Sequence, residues 1–331
     1  MQIIAFTVKG LENIAENELL KIKGAVTNVQ KYNKVLLFDY TGSLPELTIL
    51  KTIDDIGLFV SDINSLNQNN LSEALKELGL YREVGKSFSI TSSIAKVDID
   101  KDSLINNLVK QLTSYDLVYT PEDRRNLDFR LFLNDEIGFV SIRLTIEPLN
   151  KRKYEIGNYL GALKPTIAAA MVQLATENLD KNTRVVDDFC GSGTILCEAF
   201  SKWHEVYGGD INPKAVNITT NRLKSLGYTN LYNIRVQDAT KTKWNPKYFD
   251  CAISNLPWDK QHEVSHLTEL YSETIKEYKR ILKPNFRLCI ICHKPELLVK
   301  HIKKEFGDIN IKRIDIGYLG QTPSIILASN L

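Results

Sequence analysis

The stretch SNLPWDKQHEVSH, residues 254–266, carries two sets of side chains that could do chemistry. In its first half, Asn255-Leu256-Pro257-Trp258 sets an amide, a backbone carbonyl, a rigid turn and an aromatic face side by side. An exocyclic amine on a nucleobase is a poor nucleophile, because its lone pair is delocalised into the ring. Two acceptors aimed at its N–H bonds, the Asn255 side-chain oxygen and the Leu256 carbonyl, can draw that nitrogen towards a nucleophilic, tetrahedral state. Pro257 stiffens the loop, and Trp258 offers a surface on which a flipped base can stack. In the second half, His262-Glu263-Val264-Ser265-His266 is a literal H-E-x-x-H, the helix pattern of zinc peptidases.

The zinc pattern needs one helix presenting both histidines and a third ligand from elsewhere. Pro257 lies just upstream, the helical pattern begins near Ser265 or His266, and Val264 is the only apolar residue between Trp258 and Leu267. Glu269 and Glu273, the nearest third ligands, would share that helix and struggle to close a tetrahedron. No metal is expected: these residues read as exposed polar side chains beside the loop or, in the case of His262 or Lys260, as a contact to RNA phosphate. Cys289 and Cys292 also form a C-x-x-C, but in RLCIICH, an apolar strand pattern in which residues three apart face opposite ways. A zinc hydrolase is the distant alternative.

Further residues with chemical potential stand upstream. Asp187-Asp188 close the strand pattern TRVVDDF, and Gly191-Ser192-Gly193 make a tight turn into the helical CGSGTILCEAFSKW. Glycines at such a turn let a ligand approach backbone N–H groups and a helix start. A nicotinamide fingerprint would want a third glycine where Leu196 stands. Asp210 closes the next strand pattern, EVYGGDI, and can reach ribose hydroxyls. Asp238 closes NIRVQD, and Asn255 follows the fourth strand pattern, FDCAIS. Each alone reads as a turn or cap; together, at successive strand tips, they describe a ligand site.

The elements that must position these residues alternate regularly from residue 165 onward. KPTIAAAMVQLATENL is a helix with Pro165 in its first turn, PKAVNITTNRLKSLG a helix ended by Gly227, and HLTELYSETIKEYKRIL a third before the strand FRLCIICH. The tail INIKRIDIGYLGQTPSIILAS supplies two last strands. Strands alternating with helices predict a doubly wound α/β sheet with its ligand at the carboxyl ends of the central strands. The front half reads differently. Its first sixty residues follow β-α-β-β-α, a ferredoxin-like pattern, and the Asn-rich SDINSLNQNN predicts a linker. A second α/β unit follows, with LSEALKELGLY and KDSLINNLVKQL as helices and LDFRLFLNDE and IGFVSIRLTI as a hairpin turning at Asn134-Asp135-Glu136.

Bulk properties set the outer bounds. A chain of 331 residues, 43% hydrophobic and 25% charged, suits a soluble protein of two or more domains. No apolar run approaches the roughly 20 residues of a membrane span, and the acidic N-terminal stretch is unlike a signal peptide. Five scattered cysteines suit a reducing compartment, so a cytoplasmic location is expected. Residues 1–160 hold 19 basic against 22 acidic side chains and the remainder 23 against 18, so any RNA surface is a local patch.

DDFCGSGTIL, GGDI, RVQDA and SNLPW, in that order and spacing, resemble the class I S-adenosylmethionine-dependent methyltransferases. They are most similar to those acting on guanine N2 in RNA. Upstream, DFRLFLNDEIGFVSIRLTIEPLNKRKY and GALKPTIAAAMVQLA resemble the end of a THUMP RNA-binding domain and its junction with the catalytic domain. The resemblance is to the TrmN-like tRNA guanine-N2 methyltransferases of the acceptor stem. It implies a C-terminal Rossmann-like class I methyltransferase with a seven-stranded mixed sheet, residues 165–331. A ferredoxin-like module (1–62), a THUMP-like RNA-binding module (63–150) and a linker (151–164) precede it. It also implies S-adenosyl-L-methionine as cofactor, tRNA held by its acceptor stem and 3′ end as partner, and guanosine 6 as target.

Carried over by motif, Asp188, Cys190, Gly191, Ser192, Gly193 and Thr194 line the methionine end of the cofactor. Asp210 holds the ribose, Asp238 with Ala239 the adenine, Ile211 joins the cofactor-binding set, and Lys164, Pro165 and Thr166 lead into the site. Asn255, Leu256, Pro257 and Trp258 form the catalytic loop; Asp259 stands where relatives usually have glycine. Arg124, Arg125, Lys151, Arg152, Lys153 and Lys260 are the expected phosphate track. Guanine or adenine N6 of ribosomal or another small RNA is the nearer alternative, and a non-catalytic RNA-binding protein a further one.

Overall fold

The structure, a computed structural model, describes residues 1–331 apart from 80–83, 96, 123–125, 156–160, 182, 203, 258–263 and 331, and apart from the side chains of 264–266. The chain forms two compact units, one of Met1–Thr7 with Glu12–Asn150, the other of Val8–Leu11 with Lys151–Leu331. No described helix is long and apolar enough to cross a membrane.

The first unit is built on one eight-stranded sheet. Its strands are β1 (Gln2–Phe6), β2 (Val26–Tyr32), β3 (Val35–Tyr40), β4 (Asp55–Asp62), β5 (Ser87–Ile94), β6 (Val118–Tyr119), β7 (Leu127–Leu133) and β8 (Gly138–Arg143), in the order β2-β3-β1-β4-β8-β7-β5-β6. Residues 1–62 supply β1 to β4 and residues 63–150 supply β5 to β8. The two sets join through the antiparallel pair β4–β8, with Gly57 opposite Arg143. The hairpin expected at Asn134 is present, its Oδ1 accepting from the backbone N–H of Glu136 and of Ile137.

Alternate strand residues set the two faces of this sheet. Ile3, Ala5, Phe38, Leu58, Phe88, Phe129 and Ile142 pack in one core with Ala15 and Leu19 of α1 (Glu12–Leu19) and Leu47 of α2 (Leu44–Thr48). Leu71 and Leu78 of α3 (Gln68–Leu78) and Leu108 and Leu112 of α4 (Lys101–Thr113) complete it. The Asn-rich stretch expected as a linker is instead the end of β4 and the start of α3. Asn67 caps that helix, its side chain accepting from Asn69 and Asn70 N–H at 2.9 and 3.1 Å, which is why an asparagine stands there.

Ion pairs are buried in this unit. Asp55 Oδ2 lies 2.9 Å from Arg143 Nε and also meets Arg130 Nη2, while Arg143 Nη2 reaches Asp128 Oδ2 at 2.9 Å. The Asp55 side chain is 2% exposed, so neither guanidinium can exchange it for water.

The second unit has the seven-stranded mixed sheet expected for the C-terminal half. Its order is β11-β10-β9-β12-β13-β15-β14. Five strands are parallel: β9 (Arg184–Asp187), β10 (Glu205–Asp210), β11 (Ile234–Val236), β12 (Phe249–Asn255) and β13 (Leu282–Cys292). β15 (Ser324–Ser329) runs antiparallel between β13 and β14 (Asn310–Asp315). The helices are α5 (Pro165–Thr176), α6 (Thr194–Phe200), α7 (Pro213–Ser225), α8 (Val264–Ile281) and α9 (Pro295–Phe306). α5 is apolar almost all round and nearly every residue is buried, because it packs on α6 and on β12 and β13 at once. Cys289 and Cys292 are buried free thiols on β13, as the strand reading of RLCIICH requires.

One strand is shorter than its pattern suggests. NLYNIRVQD spends Leu231–Asn233 on a turn of 3₁₀ helix, held by Asn233 Nδ2 donating to the Tyr228 hydroxyl at 3.0 Å. β11 therefore begins only at Ile234; it ends at Val236, and Asp238 lies two residues past its tip.

Asp55→Ala would leave Arg130 and Arg143 without their shared carboxylate inside the first unit. We expect a loss of about 3–5 kcal/mol in unfolding free energy by urea denaturation, the range for breaking a buried ion pair.

Candidate active site

The parallel order β11-β10-β9-β12 brings four carboxyl ends to one edge of the sheet. β9 ends at Asp187 and runs into the glycine turn. Gly191 and Gly193 both have left-handed backbone, φ +51° and +80°, which glycine adopts without steric cost. At Gly193 a Cβ would lie 2.8 Å from the Thr219 side chain on α7, so glycine is also needed for packing. At Gly191 a Cβ would meet nothing nearer than the Phe189 carbonyl oxygen at 3.9 Å. That is an open cradle of backbone, suited to close approach by a ligand.

The turn is tied to its neighbours by main-chain contacts. Cys190 N–H donates to Gly209 O on β10 at 2.9 Å, and the Thr219 hydroxyl donates to Gly191 O at 2.8 Å. Asp210, the last residue of β10, accepts from Gly191 N–H through Oδ2 and from Asn212 N–H through Oδ1, both at 2.9 Å. One carboxylate thus sets both the glycine turn and the start of α7. Next to it, Ile211 is 74% exposed. Asp238 is exposed and caps its own turn, accepting from the N–H and hydroxyl of Thr240, which hold its carboxyl below the usual range.

The expected cofactor residues divide by access. Lys164, Gly191, Asp210, Ile211 and Asp238 present surface, whereas Pro165, Thr166, Asp188, Cys190, Ser192, Gly193, Thr194 and Ala239 are buried. The buried set can act only through backbone or by supporting the loop from behind.

Asp187 and Asp188 are the clearest case of such support. Asp187 Oδ1 accepts from Phe189 N–H at 3.1 Å and from the Ser254 hydroxyl at 2.8 Å. Ser254 Oγ in turn lies 2.7 Å from the Tyr278 hydroxyl on α8. Asp188 points elsewhere: its Oδ1 accepts from Trp244 Nε1 at 2.9 Å and Gln237 Nε2 at 2.8 Å. Asp188 Oδ2 is buried with no hydrogen-bond partner among the described residues. Burial pushes the Asp187 carboxyl up to about 8 and that of Asp188 up to about 7. Sequence reasoning gave no role to Gln237, Trp244, Ser254 and Tyr278, although Gln237 and Ser254 stand inside RVQDA and SNLPW; only the fold brings them to the aspartate pair.

Asn255 is the last residue of β12, half-buried and opposite Ile291 of β13. The ladder extends one step further, with Leu256 N–H donating to Ile291 O at 3.1 Å, and the Leu256 side chain is 1% exposed. The loop therefore leaves a fixed point before Pro257. Trp258, Asp259, Lys260, His262, Glu263 and the side chain of His266 lie outside the described residues. Among those described, no group of three His, Cys, Asp or Glu could hold a metal.

The expected phosphate track is also divided. Arg124 and Arg125 lie outside the described residues, and Lys151 and Lys153 are exposed. Arg152 is turned inward, 7% exposed, with Nε donating to Glu198 Oε1 on α6 at 2.8 Å. Tyr154 OH donates to the same oxygen at 2.6 Å. Arg152 holds the chain to α6, and the alternation exposed-buried-exposed at residues 151–153 explains why a run of three cations does not make three surface charges.

The model of the UPF0020 family, an RMKL-like methyltransferase domain, matches residues 152–322. The chain is 29% identical over 165 residues to the mouse (Mus musculus) U6 snRNA (guanine-N(2))-methyltransferase THUMPD2, covering 49% of this chain and 30% of that protein. It is 25% identical over 206 residues to the tRNA (guanine(6)-N2)-methyltransferase of Thermus thermophilus, covering 61% and 60%. The matches span less than two thirds of either relative. In structure, the chain is similar to TrmN from Thermus thermophilus with a TM-score of 0.78 at 20% identity, over 100% of this chain and 99% of that one. This likeness bears out the Rossmann-like methyltransferase fold.

The two aspartates give the fold a defined pH response. Unfolded Asp188 ionises near 3.8, but the folded group only near 7, so unfolding releases a proton between those values. Stability therefore falls as pH rises through that window. Asp188→Asn cannot ionise, so its Tm should drop by several degrees less than that of the wild type between about pH 5 and pH 8. Parallel Tm profiles would count against the assignment.

Proposed function

The chain belongs to the UPF0020 family of RMKL-like methyltransferase domains, and we propose that it methylates the exocyclic N2 of a guanosine in RNA, with S-adenosyl-L-methionine as donor. The substrate we favour is tRNA at guanosine 6 of the acceptor stem, and the setting the cytoplasm. The observation that carries this reading is the convergence of the glycine turn, Asp210 and Asn255-Leu256-Pro257 at the carboxyl edge of one parallel sheet. The names of the two curated relatives, both guanine-N2 methyltransferases, support the choice of nitrogen.

The residues fit the cofactor on the evidence of the open cradle at Gly191, where a Cβ would project into unfilled space. Gly191 and its turn would receive the methionine end, Asp210 the ribose, and exposed Ile211 with Asp238 the adenine edge. When bound, S-adenosylmethionine supplies an electrophilic methyl group on a positively charged sulfur. The protein's share is placement and desolvation of the nucleophile. The Asn255 amide oxygen and the Leu256 carbonyl accept from the guanine amino group, turning its lone pair towards the methyl. Pro257 limits the loop, and Trp258 stacks the base. The proton lost from nitrogen leaves to water after transfer, without a dedicated general base. Residues 63–150 take the RNA-binding role as a THUMP-like module, with the exposed Lys151 and Lys153 beside them in sequence.

Methyl transfer from labelled S-adenosylmethionine to total tRNA, followed by nucleoside digestion and mass spectrometry, tests this reading. N2-methylguanosine is expected, and Asn255→Ala should lower kcat about 100-fold, as for loss of one oriented catalytic dipole. N6-methyladenosine as the product, or turnover only on U6 or ribosomal RNA, would overturn the base or the substrate respectively.

A further inference from the structure

We infer that Tyr278 and Ser254 are positioning residues for the methyl-transfer step: a buried hydrogen-bond chain through them fixes the base-activating loop against the cofactor loop. The inference rests on the function proposed above.

The chain has two links and a defined direction. Asp187 Oδ1 accepts from Ser254, and the serine has a single proton, so the Tyr278 hydroxyl donates to Ser254 Oγ across their 2.7 Å contact. Tyr278 O–H, Ser254 O–H and the Asp187 carboxyl thus point head to tail, an arrangement in which each bond polarises the next. One end of the chain is the start of the glycine turn. Its centre is Ser254, whose carbonyl leads into the peptide bond of Asn255.

Neither side chain can touch a substrate, since Ser254 and Tyr278 are both 0% exposed. Their effect must pass through the two loops they join. β9 and β12 are already hydrogen-bonded at Cys251–Val185 and Ala252–Val186, but that pairing stops before the tips. Beyond it, the hydrogen bond from Ser254 to Asp187 ties the two strand ends together. Without it, Asn255 and the glycine turn could drift independently by fractions of an ångström. Displacements of about 1 Å between reacting groups can cost up to about 100-fold in rate.

Tyr278→Phe removes one oxygen from a packed ring and is the mildest test; Ser254→Ala is the second, should the first fail to fold by thermal melt. Steady-state kinetics would be measured with the RNA that the wild type methylates. We expect kcat to fall about tenfold for each variant, with KM for S-adenosylmethionine and for RNA within about twofold of wild type. The double variant should be no slower than Ser254→Ala alone, because both changes break the same chain. An unchanged kcat, a loss confined to the KM for S-adenosylmethionine, or fully additive losses would each overturn the inference while leaving the activity itself standing. A wild type silent on every RNA tested would instead overturn the functional reading, and this inference with it.

Discussion

Two adjacent carboxyl groups enter the interior of a parallel sheet at the end of β9, and their burial must be compensated there by donors from other parts of the chain. Asp187 finds Ser254 on β12, and Asp188 finds Gln237 beyond β11 and Trp244 further on. A third carboxylate, Asp210 on β10, takes the Gly191 N–H. The demand for hydrogen bonds at one strand end therefore recruits the other three tips. In a sheet held only by its ladders these tips would be the loosest points, since pairing between β9 and β12 ends at Ala252. The acidic residues tie the loops of that edge together, and the cost is a contribution to stability that is lost as pH rises from about 4 to about 8.

Around that edge the glycines and the hydroxyls divide the work. Gly193 yields space to α7 through Thr219, Gly191 leaves its backbone open, and Thr219 and Arg222 anchor the carbonyls of Gly191 and Ser192 at 2.8 and 3.2 Å. α7 is therefore part of the loop's support and not only a layer on the sheet. α6 is held from outside by the Arg152–Glu198–Tyr154 cluster, which fastens the residues preceding α5 to the helix that follows the turn. The first unit uses similar physics for another end: Asp55, Arg130, Arg143 and Asp128 replace apolar packing on β4, β7 and β8 with paired charges.

Much of the second unit was legible from one chain of letters because its signals are local. Strand patterns ending in Asp187, Asp210 and Asn255, and a glycine pair ahead of a helical run, are each contained in a few residues, and strand–helix alternation forces parallel tips to one edge. What lies between those signals was not legible. Ser254 and Tyr278 are 24 residues apart, and Asp188 and Trp244 are 56 apart, so no spacing rule joins them. Asp238 reads as a strand tip, but β11 ends at Val236 and Asp238 caps a turn two residues further on. Arg152 reads as a surface cation because charge alone does not tell which way a side chain turns. Asn67 reads as linker composition, yet asparagine is as much a helix cap as a loop residue. In the first half β1 to β3 and the helices were readable, but β4 was not among the expected elements, and neither was the merger into one eight-stranded sheet through its pairing with β8, because strand order between distant segments leaves no local pattern.

The most direct test of the account is a calorimetric titration with S-adenosylhomocysteine of the wild type and of Asp210→Ala. If the carboxyl edge is the cofactor seat, the wild type binds one equivalent. Asp210→Ala, which loses both the ribose acceptor and the anchor of the Gly191 N–H, should bind at least about tenfold more weakly. Equal affinity in the two proteins, or no binding by the wild type, would contradict it.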